Sequence, residues 1–477
     1  MNRKRPWIEP GGKEELEREN EKLRKELEKA RARLERAKVE IERLRHNLDI
    51  AMRSARRQAT PFSRGCRKKN PKRPGRKAGQ GSFVRRAAPA PETVIGPLIE
   101  VPVRETICLY CGGSLVHERV ERVSVTDVKP DPKPNVSAFG MEVKRCCGCG
   151  RRVRGRHPAV APDQYGATAH RVGPIAKAMA HMLHYGLGVP VRKTPEVLRE
   201  LTGIRLTQGA ITQDALRQVE RGVGTSYRVL RDSIREAPVV FTDDTGWKVH
   251  GEAAQLMVFD TDRATVYQVR PKHRNEEVRE LVPADFAGTL VTDRGFAYEA
   301  GELKAVHQQK CLAHILRNLK GVVGERSGPE VQFPLRLMKL IREAIALGKR
   351  RGRYSEARYT ALLDNLERRL KHQLRRRTLQ NSDSQRLLDG IGAQHAKGRL
   401  LRFLKTPGVE PTNNRSERAL RPAVIQRKVS QCSKTRRGAD AFSAFSSVIR
   451  TIIKRGETSV PEGLTRLFAS PPGEIPP

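Results

Sequence analysis

No stretch of this 477-residue chain approaches the roughly 20 consecutive apolar residues that a membrane span requires, which leaves membrane binding a weak competitor. No apolar stretch follows the opening Met1-Asn2-Arg3-Lys4-Arg5-Pro6 either, so it does not read as a signal peptide and the expected location is cytoplasmic. Cysteine is scarce: eight residues, unevenly clustered, four of them in two C-x-x-C pairs. Without an export signal, that pattern speaks for metal and against a disulfide framework. Acidic side chains are in deficit, 53 Asp and Glu against 93 Lys and Arg, for a formal charge of +40. Solubility needs far less, and a field of that sign attracts phosphate polyanions. Nucleic acid is therefore the expected partner and the nucleoid the expected place. The plainer alternative is a ribosome-associated or merely basic protein.

Proline and glycine are missing from residues 13–55. There Leu16, Leu23, Ala30, Ala37, Leu44 and Ala51 recur at position d of a heptad, with Asn20, Leu27, Leu34, Ile41 and Leu48 at a. This predicts a coiled-coil seam pairing two copies of the chain, with Asn20 fixing register. A single charged helix packed elsewhere is the bland reading. Residues 56–100 mix Arg64, Arg67, Lys68, Lys69, Lys72 and Arg73 with prolines and glycines, which predicts a basic linker.

Within 101–155, Cys108-x-x-Cys111 and Cys146-x-x-Cys149 are two thiol pairs flanked by glycines that let short knuckles turn their amides toward sulfur. Four thiolates suit a structural Zn²⁺. A redox pair is the alternative, and the spare Cys147 leaves the second pair ambiguous. Residues 156–236 read as helical. Val172, Ile175, Ala176, Met179, Ala180 and Leu183 share a face; Thr194-Pro195 starts a helix with Val197, Leu198 and Leu201 buried; Gly203 breaks it, and Thr207 caps the next. Two helices around a Gly turn are compatible with a helix-turn-helix, a pattern common in any helical domain.

From residue 238 the period changes to two. Strands are expected from Pro238 toward Val249, at Leu256–Phe259, at Thr265–Val269 and at Thr289–Asp293, with a turn at Asp260–Arg263 and a helix around Glu276–Leu281. This order suits a mixed sheet with helices on its faces. Residues 326–405 read as an inserted, basic helical subdomain before the chain returns at Pro407-Gly408. Strands then end in Asp243-Asp244-Thr245 and in Asp293, and Glu417 follows Asn413-Asn414. Three carboxylates so delivered can bind two Mg²⁺ ions for in-line attack on phosphorus. Each also has a plain role: a turn for either of the first acids, a strand-ending turn for Asp293, an Asn414-x-x-Glu417 capping box for the third. Composition and spacing do not choose between these.

Asp243-Asp244-Thr245-Gly246-Trp247, Asp293-Arg294-Gly295, Lys310-Cys311-Leu312-Ala313-His314 and Asn413-Asn414-x-x-Glu417-Arg418-x-Leu420-Arg421-Pro422 together resemble the bacterial insertion sequence 66 transposase family. The resemblance spans nearly the whole chain. It implies a multidomain α+β protein: an N-terminal coiled coil (13–55), a basic linker (56–100), a zinc module (101–155), a helical DNA-binding region (156–236), an RNase H-like catalytic core (237–325 and 406–455) with a helical insertion (326–405), and a tail (456–477). It implies a DDE triad of Asp243, Asp293 and Glu417 holding catalytic Mg²⁺, with Asp244 as neighbour where the family often has Glu. The Arg294 position departs from the family's usual residue. Cys311 and His314 match a C-x-x-H element expected to be supportive. Arg415, Arg418, Arg421, Arg427 and Lys428 would hold DNA phosphates. Pro422 is expected to kink or end the helix carrying Glu417. Accessory proteins of the same element are further expected partners. The rival readings are a non-catalytic DNA-binding regulator derived from a transposase, and another RNase H-like nuclease such as a resolvase.

Overall fold

The computed structural model describes residues 10–57, 107, 110–117, 133–140, 142–154, 172–325 and 328–469. Most of the expected basic linker, Cys108, residues 118–132 and 155–171, and the last part of the tail lie outside the described residues. The chain divides into two compact units, residues 1–124 and 125–477.

In the first unit, α1 (Pro10–Arg57) is one unbroken 48-residue helix, as the absence of helix breakers predicts. Leu23, Leu27, Leu34, Ile41 and Leu44 remain exposed along it. Further on, Ile107 and Ser114 form an antiparallel bridge around Cys111. Gly112, at φ +74°, makes the tight turn between them.

The second unit begins with a short antiparallel hairpin, β1 (Val143–Arg145) and β2 (Arg152–Arg154). Helices follow: α2 (Pro174–His181), which continues as a π turn to Gly186, α3 (Thr194–Thr202), α4 (Gln208–Val219) and α5 (Gly222–Arg235). Gly203 closes α3 at φ 69°, and the Thr207 hydroxyl caps α4 by accepting from the Ala210 amide at 3.1 Å. Leu198 is buried against Ala180 and Ile211, as expected. Two expected core residues are not: Ile175 and Leu201 are 62% and 65% exposed. Ile175 sits in the first turn of a two-turn helix and Leu201 in the last turn of another, so a helical face read from spacing overran the short contact that covers it.

The sheet has the order β5-β4-β3-β6-β7, with β3 (Val239–Val249), β4 (Glu252–Asp260), β5 (Thr265–Arg270), β6 (Thr289–Thr292) and β7 (His307–Lys310). The first three form an antiparallel meander; β6 and β7 join parallel to β3 after the short helix α6 (Asn275–Arg279). Short runs of β-branched and other apolar residues made β3 to β6 readable. The fifth strand, β7, was not expected, because Gln308, Gln309 and Lys310 are polar yet fully buried. Gln308 donates to the Tyr298 carbonyl at 2.9 Å, and Gln309 donates to the Leu400 carbonyl at 3.0 Å.

Residue parity along β3 assigns two faces. Val240, with Met257, Phe259, Val266 and Leu290, packs on α5, α12 (Arg436–Arg455) and α13 (Val460–Ala469). Val239, Phe241 and Val291 pack on α7 (Leu312–Glu325) and on the helices α8 (Gln332–Lys349), α9 (Glu356–Gln373) and α10 (Ser382–Ala396) of the segment expected as an insertion. Further along that second face, Trp247, Leu256 and Val258 meet Leu420 and Ala423 of α11 (Asn414–Ser430).

Both edges of the sheet are occupied. At β7 the Lys310 amide donates to the Arg399 carbonyl at 2.8 Å. At β5 the amides of Thr265, Tyr267 and Val269 donate to the hydroxyls of Thr451, Ser447 and Ser443 at 3.1, 2.8 and 3.3 Å. The match is metrical: four helical residues advance about 6 Å and two strand residues about 6.7 Å, so α12 runs antiparallel to β5 with one hydroxyl per outward amide.

Candidate active site

Asp243 lies within β3, not at its end, because the strand continues as the hairpin partner of β4 to Val249. What ends near Asp243 is the parallel pairing with β6, whose last partners are Phe241 and Val291. Two residues beyond that pair on each strand are Asp243 and Asp293. Side chains repeat every two residues, so Asp243 shares the face of Phe241, which packs on the helices that follow β7, and the charge of Asp293, just past the end of β6, reaches it. Asp244, one residue on, points to the opposite face.

Asp293 is held by its own turn: its Oδ1 accepts from the Gly295 amide at 2.8 Å. A Cβ on Gly295 would meet that same oxygen at 2.9 Å, so a side chain there would displace the Asp293 carboxylate from this position. Glu417 comes from α11, and the expected capping box is not formed. The helix caps at Asn413, one residue earlier than that reading needs, so Glu417 falls beyond the third helical position. Asn413 is instead a buried clamp. Its side-chain amide donates to the Thr242 carbonyl at 2.7 Å and its backbone amide to Cys311 Sγ at 3.1 Å. It thus ties the start of α11 to the strand beside Asp243. Pro422 does not end this helix, which runs eight residues further to Ser430.

Burial pushes the Asp243 carboxyl up to about 7, and the neighbouring charges of Asp244, Asp293 and Glu417 act in the same direction. The Asp244 amide, donating to it at 3.0 Å, opposes them. The three expected acids therefore share one electrostatic environment. Among the described residues no group of three or more His, Cys, Asp or Glu stands close enough to hold a metal ion as it is. The donor set nonetheless fits one: a partly buried carboxyl raised by acidic neighbours is what a hard divalent cation relieves.

His314 Nε2 lies 3.8 Å from Glu417 Oε1, at the edge of this set. Cys311 is buried and engaged with Asn413, with its thiol pushed up chiefly by burial. His273 was not expected. Its Nδ1 lies 3.1 Å from Asp244 Oδ1, and its ring meets Tyr298 edge-on at 5.4 Å. Burial opposes its protonation, but the hydrogen bond and charge of Asp244 raise it above the ordinary value. The only sequence signal was a histidine within the basic loop Lys272-His273-Arg274. Lys310 is fully buried behind Asp293, 2.7 Å from Glu299 and donating to Thr292 Oγ1 at 3.1 Å. Glu299 also pairs with Lys397 and Arg399, both at 3.0 Å.

The five expected DNA-binding cations divide. Arg418, Arg421 and Lys428 are exposed on α11. Arg415 has internal partners: Asp260 at 2.7 Å, Asp262, and the Phe241 ring face at 5.0 Å. Arg427 donates to Thr245 Oγ1 at 3.0 Å and to the Gly246 carbonyl. These two hold α11 to the sheet.

Of the four expected zinc ligands, Cys146 and Cys149 come together in the turn joining β1 to β2. The Gly150 amide donates to the Cys146 carbonyl at 3.0 Å, and Gly150 adopts φ +69°. Hydrogen bonds from the Cys149 amide, the Cys149 thiol and the Gly148 amide lower the Cys146 thiol. Cys111 belongs to the other unit, and Cys108 lies outside the described residues.

Among the described residues no helix is long and apolar enough to cross a membrane. No curated protein matches the chain. Residues 170–441, more than half of the chain and all of the sheet and insertion, match the family model described as Transposase IS66 family. Because that match spans more than half of the chain, the chain belongs to the IS66 family of transposases.

Proposed function

We propose that the protein catalyses Mg²⁺-dependent strand cleavage and strand transfer at the ends of an insertion sequence, with Asp243, Asp293 and Glu417 as its acid set. The observation that supports this is the pairing of β3 with β6, whose last partners Phe241 and Val291 precede Asp243 and Asp293 by two residues, together with the charges of Asp293 and Glu417 acting on the Asp243 carboxyl. An antiparallel three-strand meander continued by parallel strands, with a helical insertion before the third acid, supports the RNase H-like reading. Divalent ions bound there would supply activation of a water or 3′-hydroxyl and charge neutralisation at the departing oxygen. The chain's own contribution is positional. Asn413 fixes α11 against β3, Gly295 orients Asp293, and His273 pairs with the Asp244 carboxylate. Arg418, Arg421 and Lys428 are the cations placed to contact phosphates, while Arg415 and Arg427 keep the helix seated.

Zinc on Cys108, Cys111, Cys146 and Cys149 is part of the same proposal. The Cys146–Cys149 turn, with two amides aimed at one sulfur, supports a thiolate knuckle. Pairing of two copies through the exposed apolar stripe of α1 would join two element ends in one complex.

The test is cleavage and joining of DNA carrying the element's ends, in Mg²⁺, by wild type and by Asp243→Ala, Asp293→Ala and Glu417→Ala. Each variant should lose at least about a hundredfold in rate while binding DNA normally. Full activity in all three would overturn the proposal. A non-catalytic DNA-binding regulator derived from a transposase is the second reading. Specific binding without any Mg²⁺-dependent cleavage by the wild type would select it.

A further inference from the structure

Helices α8 and α9 pack through Leu337, Leu340 and Ile341 against Leu363, Leu366 and Leu370. On their solvent side they leave a cleft of about 450 Å³. Its walls carry Arg336 and Lys339 from α8, and Asn365, Arg368, Arg369 and His372 from α9. The two α8 cations stand three residues apart; the α9 residues repeat at three, four and seven. Each set is one stripe on its helix, and the two stripes face each other. Only Arg369 has an acidic partner here, Glu343 at 2.8 Å. Arg336, Lys339 and Arg368 have none among the described residues. More positive charge borders the cleft: Arg375 is hydrogen-bonded to His372 at 3.0 Å, and the Arg377 guanidinium lies over the Phe333 ring at 5.4 Å.

The apolar contact between the helices does not require so many cations around the cleft, although Leu340 of that contact also lines it. Uncompensated like charges across a narrow groove repel, and a polyanion relieves that repulsion. No acid of the candidate active site lines the cleft.

We propose that the α8–α9 cleft is a second DNA-binding site, which grips the phosphate backbone of duplex DNA without reading its sequence. Only the choice of DNA as the polyanion rests on the transposase reading. Arginine and lysine heads supply the phosphate contacts, and Asn365 adds a neutral donor. Such a site would hold flanking or target DNA at a distance from the acid set.

The experiment uses the full-length protein in EDTA, with a labelled 40-base-pair DNA duplex of arbitrary sequence, read by fluorescence anisotropy across a NaCl series. The test variant is Arg336→Gln/Lys339→Gln/Arg368→Gln. The control, Arg350→Gln/Arg353→Gln/Arg358→Gln, removes the same charge from the other end of the same subdomain. The test variant should bind at least about tenfold more weakly at moderate salt. The magnitude of its salt slope should fall by about 2 to 3, near 0.9 per lost phosphate contact. The control should change neither. A conservative variant, Arg336→Lys/Lys339→Arg/Arg368→Lys, should retain both, which separates charge from misfolding. Equal effects in test and control variants would overturn the proposal, as would a loss confined to an RNA duplex of the same length. Absent cleavage by the wild type, with the DNA shift intact, would sink the transposase reading and leave this site standing. Intact cleavage with unshifted binding would sink this site alone.

Discussion

Asp243 and Asp244 are adjacent in sequence but stand on opposite faces of the sheet. Doubled acids invite the question of which would be the ligand; strand alternation and the His273 partner of Asp244 favour Asp243 in the proposed set. Burial has a measurable effect there. In the metal-free folded protein Asp243 titrates near 7, against an ordinary 3.8. Between those values the folded state keeps a proton that the unfolded state has released, so stability falls as pH rises through this window. Thermal melts in EDTA should show that slope, and Asp243→Asn should flatten it; an unchanged slope would count against the buried environment. A second residue-scale prediction separates two arginines of one helix. Arg415→Ala should lower the melting temperature and leave the salt dependence of DNA binding untouched, because its partners are Asp260, Asp262 and Phe241. Arg421→Ala should leave the melt alone and reduce the salt slope by about 1. From sequence both were simply cations near an acid; ion pairing across 155 positions is a tertiary fact. His273 was hidden for the same reason, its meaning depending on Asp244 opposite it.

Elements were legible in proportion to how far their own side chains declared burial. The strands β3, β4 and β5 carry short runs of β-branched and other apolar residues, buried on both faces, and α3 and α4 carry their own punctuation in Gly203 and Thr207. The strand β7 declares nothing, since its burial is made tolerable by glutamine and lysine side chains that find carbonyl and carboxylate partners only after folding. Of the two outcomes expected at Pro422, the helix does not end there: it runs on despite the lost amide and the ring's crowding of the preceding turn, with Leu420, Ala423 and Gln426 buried on both sides of it. At α12 the chemistry of one stripe is open to test. Ser447→Ala leaves the buried Tyr267 amide without its acceptor, which should cost about 1–3 kcal/mol. Equilibrium urea unfolding measures it. A loss indistinguishable from that of a Ser→Ala change at an exposed position would show the bond to be unimportant.

At the scale of the molecule, composition announced the partner and said little of where that partner sits. The family match covers residues 170–441, so the long helix α1 lies before it, with its apolar stripe exposed. The proposed pairing through that stripe predicts a dimer in solution. Leu27→Glu/Leu34→Glu should convert it to a monomer by light scattering, with the melt of the remaining chain unaltered; a monomeric wild type would remove the idea. What the sheet itself allows is narrower. An open strand edge is a template on which any other chain can add a strand, and so a standing route to aggregation. Here one edge is met by the return of the insertion at Arg399 and the other by the hydroxyl ladder of α12. Association by strand addition is thereby closed at both ends. A shortened protein that lacks the insertion but keeps every acid would uncover one of those edges, and its first fault should be insolubility rather than inactivity.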